Sequence, residues 1–168
     1  MRTLVTGRTL TLPTRRPDLA ASSDRVRCNP ASASSAQPGA PALAAVDGSP
    51  ATDWEPASVR ATLTTRIAGL AAPIGTITLR WGRQWPAAPA PNVPPPPGPV
   101  IVLRPASYAV LVSSNGRTWR RVAFVTGHHG RALDTLHLHG VRARFVRIKL
   151  TAPSSCKLPM LQELTAAR

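Results

Sequence analysis

The stretch A-A-V-D-G-S-P-A-T-D-W-E-P, residues 44–56, concentrates acid in a chain that has almost none: of seven Asp and Glu residues, Asp47, Asp53 and Glu55 all fall within it. Pro50 has no amide hydrogen with which to continue a helix, and Asp and Ser favour turns that bond their own backbone. The segment therefore reads as a tight, ordered loop. Turned carbonyls, a carboxylate and a Thr hydroxyl are the oxygen ligands that a hard cation such as Ca²⁺ takes at roughly 2.3–2.6 Å. The loop is a candidate cation clip.

Outward from it, from Ala57 onward, runs of period two alternate with turns, the pattern of an antiparallel β-sandwich. Ile77, Leu79 and Trp81 share one face of a strand, with Thr76, Thr78 and Arg80 opposite. Tyr108 to Val112 is apolar on both faces, as a central strand should be, and Asn115-Gly116 supplies a hairpin turn that accepts positive φ. Leu136 and Leu138 alternate with His137 and His139, and Val146, Ile148 and Leu150 with Arg147 and Lys149. No helical repeat of apolar residues competes over a long window.

Five segments carry a family resemblance: A-S-A-S-S-A (31–36), A-V-D-G-S-P-A-T-D-W (45–54), S-Y-A-V-L-V-S-S-N-G-R-T-W (107–119), R-A-R-F-V-R-I (142–148) and L-Q-E-L (161–164). In this order and spacing they resemble the discoidin, or coagulation factor V/VIII type C, domain, which is closely related to family 32 carbohydrate-binding modules. The resemblance covers about Asn29 to Thr165. It implies an all-β fold, an antiparallel β-sandwich of galactose-binding-like jelly-roll type, over residues 28–168. For the clip it implies a structural calcium ion held by the Asp47 carboxylate, the Thr52 oxygens, backbone carbonyls near Ala44 and Ser49, and Glu163. Glu163 lies more than a hundred residues further on, so its ligation would staple the last strand to the loop. The plainer alternative is that Asp47 caps its turn and Glu163 pairs with an Arg.

Residues 1–27 contain the strand-like Thr9-Leu10-Thr11-Leu12 but no partner strands, and a lone strand is not stable. This piece resembles the end of the C-terminal β-domain of some bacterial family 65-type glycoside hydrolases and trehalases, which in actinobacteria can carry a discoidin-like module behind it. The chain is accordingly expected to be the tail of a split or truncated enzyme. Its opening has no apolar run of signal-peptide length, and nothing approaches the roughly 18 apolar residues of a membrane span. Location would follow that of the parent protein, extracellular if the parent is exported.

A net charge of +14 invites a polyanion-binding reading. The basic residues are scattered from Arg2 to Arg168, however, which argues against a specific nucleic-acid site. The two cysteines, Cys28 and Cys156, permit one disulfide at most; relatives often join their ends in this way, and the sequence leaves the pairing open. His137 and His139 project from one strand face, with His128 and His129 nearby, but structural zinc wants four well-placed ligands, and solvent exposure beside a turn is the simpler account. Catalytic signals are missing. Glycoside hydrolysis needs two carboxyl groups flanking a bond, and there is no G-x-S-x-G elbow or Gly-rich phosphate loop.

The segment 83–105 reads as a Pro-rich loop inserted where a shorter connection would serve, with Pro94 to Pro97 favouring extended polyproline II. A surface excursion, a docking arm against an enzyme body and a wall of a ligand site all remain open for it. Sugar-binding modules hold pyranose hydroxyls with Arg, Asn, His and carboxylate side chains and stack the apolar sugar face on an aromatic ring. Family 32 modules carry an Arg, often with an Asn further on, after the strand that here ends at Trp81. The resemblance thus assigns ligand contact to Arg83 and Asn92, with Trp85 as the loop's aromatic. Glu55, which stands where many relatives place a His, completes the expected ligand set with Arg83, Trp85 and Asn92, and residues 152–159 lack the aromatic platform that several relatives present. Trp54, Trp81 and Trp119 read as core indoles.

Together these readings describe a monomeric, non-catalytic carbohydrate-binding module that targets an attached or formerly attached glycoside hydrolase catalytic domain to glycan. The alternatives are a structural module docking on the enzyme body and a basic module binding anionic lipid surfaces.

Overall fold

The computed structural model describes residues 24–86, 91–94, 96–127, 130–152 and 157–168. Thr9 to Leu12, His128, His129 and Cys156 lie outside them, and with them the expected remnant strand and the cysteine pairing. Nine strands are defined among the described residues: β1 (Ala31–Ala33), β2 (Thr62–Arg66), β3 (Ala72–Gln84), β4 (Ile101–Leu103), β5 (Ser107–Ser113), β6 (Arg120–Thr126), β7 (Leu133–Ala143), β8 (Phe145–Ala152) and β9 (Leu161–Ala167). One sheet has the order β1-β2-β8-β5-β6; in the other, β4, β7 and β9 all pair with β3. Every pairing is antiparallel.

The period-two runs account for the two layers. Leu63 of β2 lies opposite Ile148 of β8, which lies opposite Val110 of β5, so one row of aliphatic side chains crosses the five-stranded sheet. Ile77, Leu79 and Trp81 of β3 and Leu164 and Ala166 of β9 line the other, and all belong to one buried cluster. Because alternate residues point to opposite faces, each such row buries one side of its sheet and leaves Thr, Arg, Lys and His on the outside. His137 and His139 stand exposed on the outer face of β7.

Three features depart from the sequence reading. The sandwich takes in residues upstream of Cys28: Val26 is wholly buried, Arg25 donates its amide to the Ala166 carbonyl at 2.7 Å, and Asp24 accepts the Ala166 amide at 3.0 Å. The segment 83–105 is not a free loop at its ends. Gly82, Arg83 and Gln84 pair with Leu103, Val102 and Ile101, so a hairpin raises the Pro-rich stretch on a short two-stranded stem.

Trp119 is the third, a correction. Trp54 and Trp81 are in the core, but Trp119 is half-buried on the outer face of the five-stranded sheet, with the Arg147 guanidinium 3.8 Å above its ring. The cause is the turn before it. Ser113 Oγ accepts the amides of Asn115 and Gly116, and Asn115 Oδ1 those of Arg117 and Thr118, so the chain reverses with Gly116 at φ 77. The reversal resets the alternation of faces, and the indole emerges on the Arg147 side.

Candidate functional site

β3 crosses the sandwich and delivers its last residues to one end of it. There the pairing with β9 shifts register between Arg80 and Trp81: Arg80 lies opposite Glu163 and Trp81 opposite Leu161, leaving Gln162 as the extra residue. A bulge of this kind bends a strand and re-aims its side chains. Trp81 and Gly82 are consecutively buried, and Arg83 and Gln84 consecutively exposed. Trp85 follows at the top of the stem and is 66% exposed.

Two clefts flank Trp85 and Arg83. The first, about 590 Å³, is lined by Glu55, Arg83, Gln84, Trp85, Lys157 and Met160, among others. Three of the four ligand residues named from the sequence thus meet in one place. Glu55 is carried there by the acidic loop, whose backbone is pinned where Trp54 and Leu161 exchange amide hydrogen bonds at 2.9 and 3.0 Å. Burial and the neighbouring Asp53 charge push the Glu55 carboxyl above its ordinary pKa. Lys157 donates to Gln84 Oε1 across the cleft mouth. Asn92, the fourth, does not line either cleft; it sits in the hairpin tip with φ 64, a left-handed turn position that Asn tolerates.

The second cleft, about 610 Å³, lies across Trp85 and is lined by Arg80, Arg83, Arg131, Leu133 and Gln162 together with the indole. Ala132 accepts the Trp81 amide at 2.7 Å, which holds Arg131 beside β3. Sequence reasoning missed Arg80, Arg131, Gln84, Lys157 and Met160. Their meeting depends on how strand ends converge, and no local pattern carries that.

The clip lies beside these clefts. Asp47 Oδ1 accepts the Ser49 amide at 2.8 Å, and Oδ2 accepts the Thr52 hydroxyl at 2.8 Å, so Asp47 does cap its own turn. Gly48 adopts φ 77 with the Arg27 guanidinium packed against it. Glu163 forms no ion pair with an Arg among the described residues: its Oε1 is buried without a hydrogen-bond partner there. Burial, then the charges of Asp24 and Asp47, push its carboxyl up to about 7, against support for the charged form from the Gly48 amide and Arg27. No group of three or more His, Cys, Asp or Glu suited to a metal occurs among the described residues. What the clip offers is two carboxylates with hydroxyl and carbonyl oxygens, a donor set of hard-cation type.

Between the sheets lies a polar network that the sequence reading passed over. Asp134 Oδ2 accepts from Trp81 Nε1 at 2.9 Å and from Tyr108 Oη at 2.8 Å, and ion-pairs with Arg104 Nη2 at 2.9 Å. Both charged side chains are at most 3% exposed. Burial and the bonded carboxylate drive the Tyr108 hydroxyl far above its ordinary pKa, so it stays a donor. A signal was available: Asp134 shares strand parity with the inward Leu136 and Leu138, an acid on an apolar face.

No family model and no curated protein sequence matches the chain. Solved structures do. It is similar to chitosan-binding module 1 from a chitosanase/glucanase of Paenibacillus sp. IK-5, at 22% identity and a TM-score of 0.68 over 86% of this chain and 98% of that one. It is also similar to the family 32 carbohydrate-binding module of C. perfringens NanJ in complex with galactose, at 18% identity and a TM-score of 0.65 over 83% and 93% of the two chains. The chain shares the β-sandwich fold of these carbohydrate-binding modules. The lectin domain of Lectinolysin, complexed with Lewis B antigen, has the same sandwich at 19% identity and a TM-score of 0.62, over 86% of this chain and 96% of that one.

Proposed function

We propose that the chain is a non-catalytic carbohydrate-binding module whose sugar stacks on Trp85. The observation that carries this reading is the exposed indole standing at the rim of a cleft that also holds Arg83, Glu55 and Gln84. An indole face matches the apolar C–H face of a pyranose, while a guanidinium and an amide donate to hydroxyl oxygens and a carboxylate accepts from hydroxyl hydrogens. Glu55 is the one acid among the cleft's described lining residues, where hydrolysis of a glycosidic bond would call for a pair. A monosaccharide buries little surface, so affinity should be modest, and the benefit is local: a module tethered to a glycoside hydrolase raises that enzyme's effective concentration at its glycan.

The test is a glycan-array screen of the folded chain with Ca²⁺ present, followed by calorimetry on any ligand found. Trp85→Ala should weaken binding by roughly fivefold or more, because stacking on an aromatic face contributes about 1 kcal/mol. The melting temperature should hardly move, since the indole is mostly exposed. A folded wild type that is silent across the array would overturn the reading.

The clip is part of the same proposal. Asp47, Glu163, Thr52 and the carbonyls near Ala44 and Ser49 would hold Ca²⁺, and the partnerless buried Glu163 oxygen supports this assignment. The ion would neutralise the carboxylates and tie β9 to the loop that presents Glu55. The sign of the pH dependence follows from Glu163. Between its ordinary 4.5 and the raised value of about 7, the folded chain holds a proton that the unfolded chain has released. Without metal, stability should therefore fall as pH rises through that window, by on the order of 2 kcal/mol once solvent screening of this partly exposed group is allowed for, and Asp53 and Glu55, also raised, add with the same sign. Ca²⁺ binds the ionised form, so at pH near 8 it should raise the melting temperature by several degrees and EDTA should reverse this. Glu163→Gln should abolish the metal effect and flatten the pH profile. An unchanged melting temperature on adding Ca²⁺ would remove the metal from the account.

A further inference from the structure

The two sides of Trp85 differ in charge. Arg83 borders both clefts; in the first it is joined by Glu55 and Lys157, so acid and base are mixed, whereas in the second, of about 610 Å³, it is joined by Arg80 and Arg131 and the described lining contains no Asp or Glu. All three arginines are exposed, and none of their side chains has a hydrogen bond or ion pair among the described residues. Arg80 also borders the groove of Asp24 and Glu163, yet pairs with neither. Like charges gathered without a counter-charge repel one another, and the arrangement becomes favourable when an anion sits among them. Guanidinium forks match planar or tetrahedral oxyanions and can bind them through two hydrogen bonds at once.

We propose that this cleft is a subsite for an acidic sugar, one bearing a carboxylate or a sulfate ester, next to the neutral sugar position on the Glu55 side. The inference rests on the carbohydrate-binding reading and narrows it to acidic glycans. Trp85 lies between the two clefts and serves both, so the ligand spans at least two sugar units, the acidic one toward Arg131 and the neutral one toward Glu55. Gln162, set there by the β9 bulge, offers an amide to a hydroxyl or to the oxyanion. Glu55 supplies direction, since it offsets Arg83 and Lys157 in the first cleft, while no acid among the described lining residues offsets the three arginines of the second. The same arrangement disfavours a cationic glycan at the arginines.

The experiment is calorimetric titration of the whole chain with four probes: tetragalacturonate, its carboxyl-reduced counterpart, a keratan sulfate hexasaccharide and its desulfated counterpart. At low salt at least one acidic probe should bind at least roughly tenfold more tightly than its neutral counterpart, with the advantage shrinking as salt screens the charges. The two pairs distinguish a carboxylate ligand from a sulfate ligand. Arg131→Gln should weaken the acidic probe by roughly fivefold or more and leave the neutral one unchanged. Arg121→Gln, an exposed arginine of β6 packed over Phe124 in the other sheet, should change neither. Equal affinity for acidic and neutral probes would overturn the acidic subsite and leave the carbohydrate reading standing. Equal losses in Arg131→Gln and Arg121→Gln would also overturn it, because attraction would then belong to the overall charge. Binding to none of the four by folded protein that binds a neutral glycan elsewhere on an array would refute the subsite alone; silence toward every glycan would refute both.

Discussion

Replacing Asp134 by Ala should destabilise the chain by about 3–5 kcal/mol, enough to leave a domain of this size barely folded. The Asp134 carboxylate is the shared acceptor for Trp81 Nε1, Tyr108 Oη and Arg104, which come from β3, β5 and the segment after β4. Truncation would strip the buried Arg104 of its counter-ion and leave two donors facing apolar surroundings. The cost is mostly that of what is left behind rather than of the pair itself. Asp134→Asn keeps the shape and an acceptor oxygen but removes the charge, so it should lie between wild type and Ala. Replacing Arg104 and Asp134 together by Met and Leu should recover much of the loss, since no charge is then orphaned. Urea denaturation of the four proteins would decide. A loss below about 1 kcal/mol in Asp134→Ala would show that the network contributes little.

Trp54→Ala should cost a similar amount, about 3–5 kcal/mol, by a different route. Trp54 is wholly buried, donates Nε1 to the Ser35 carbonyl at 3.0 Å, and bridges its backbone to Leu161 in both directions. Its removal leaves a cavity at the junction of the acidic loop, the β1 side of the sandwich and β9. The variant should also lose sugar binding, because Glu55 hangs from the same backbone. The same substitution at Trp119 separates the core from the surface. That ring stacks under Arg147 on the outer face, and its loss should cost only about 1 kcal/mol. Thermal or urea unfolding of the two variants side by side would check the contrast, and equal losses would mean that Trp119 does fill the core.

Under the proposed calcium reading, Glu163 would join stability to function. It sits opposite Arg80 at the bulge that re-aims β3, and its Oε1 is buried without a hydrogen-bond partner among the described residues. An ion bound there would order the loop that carries Glu55 and the strand that carries Gln162, so Ca²⁺ should sharpen sugar affinity as well as raise stability.

How much of this was readable beforehand follows a physical division. Alternation of apolar and polar residues is a local property, since neighbouring side chains on a strand must face opposite ways. The rows Ile77-Leu79-Trp81 and Val146-Ile148-Leu150 therefore announced strands and their buried faces, and the acidic loop with its Asp, Gly and Pro announced an ordered turn. Arg83, Trp85 and Glu55 were named from a resemblance, and they do meet. Asn92 was named in the same way and does not, because the hairpin stem carries Arg83 and Trp85 at its top and lifts Asn92 to the tip. Trp119 went astray because a turn between two strands resets which face is inward, and the sequence does not display the number of residues the turn absorbs. Read alone, the chain determined a β-sandwich, an acid-bearing loop and a basic overall charge. Tertiary structure decided that Arg80, Arg83 and Arg131 share one cleft, that Glu55 and Arg83 share the neighbouring one across Trp85, and that Asp134 holds three donors between the sheets. Those outcomes depend on which strand ends come together and on a one-residue bulge in β9, relations between segments up to a hundred residues apart that no local pattern encodes.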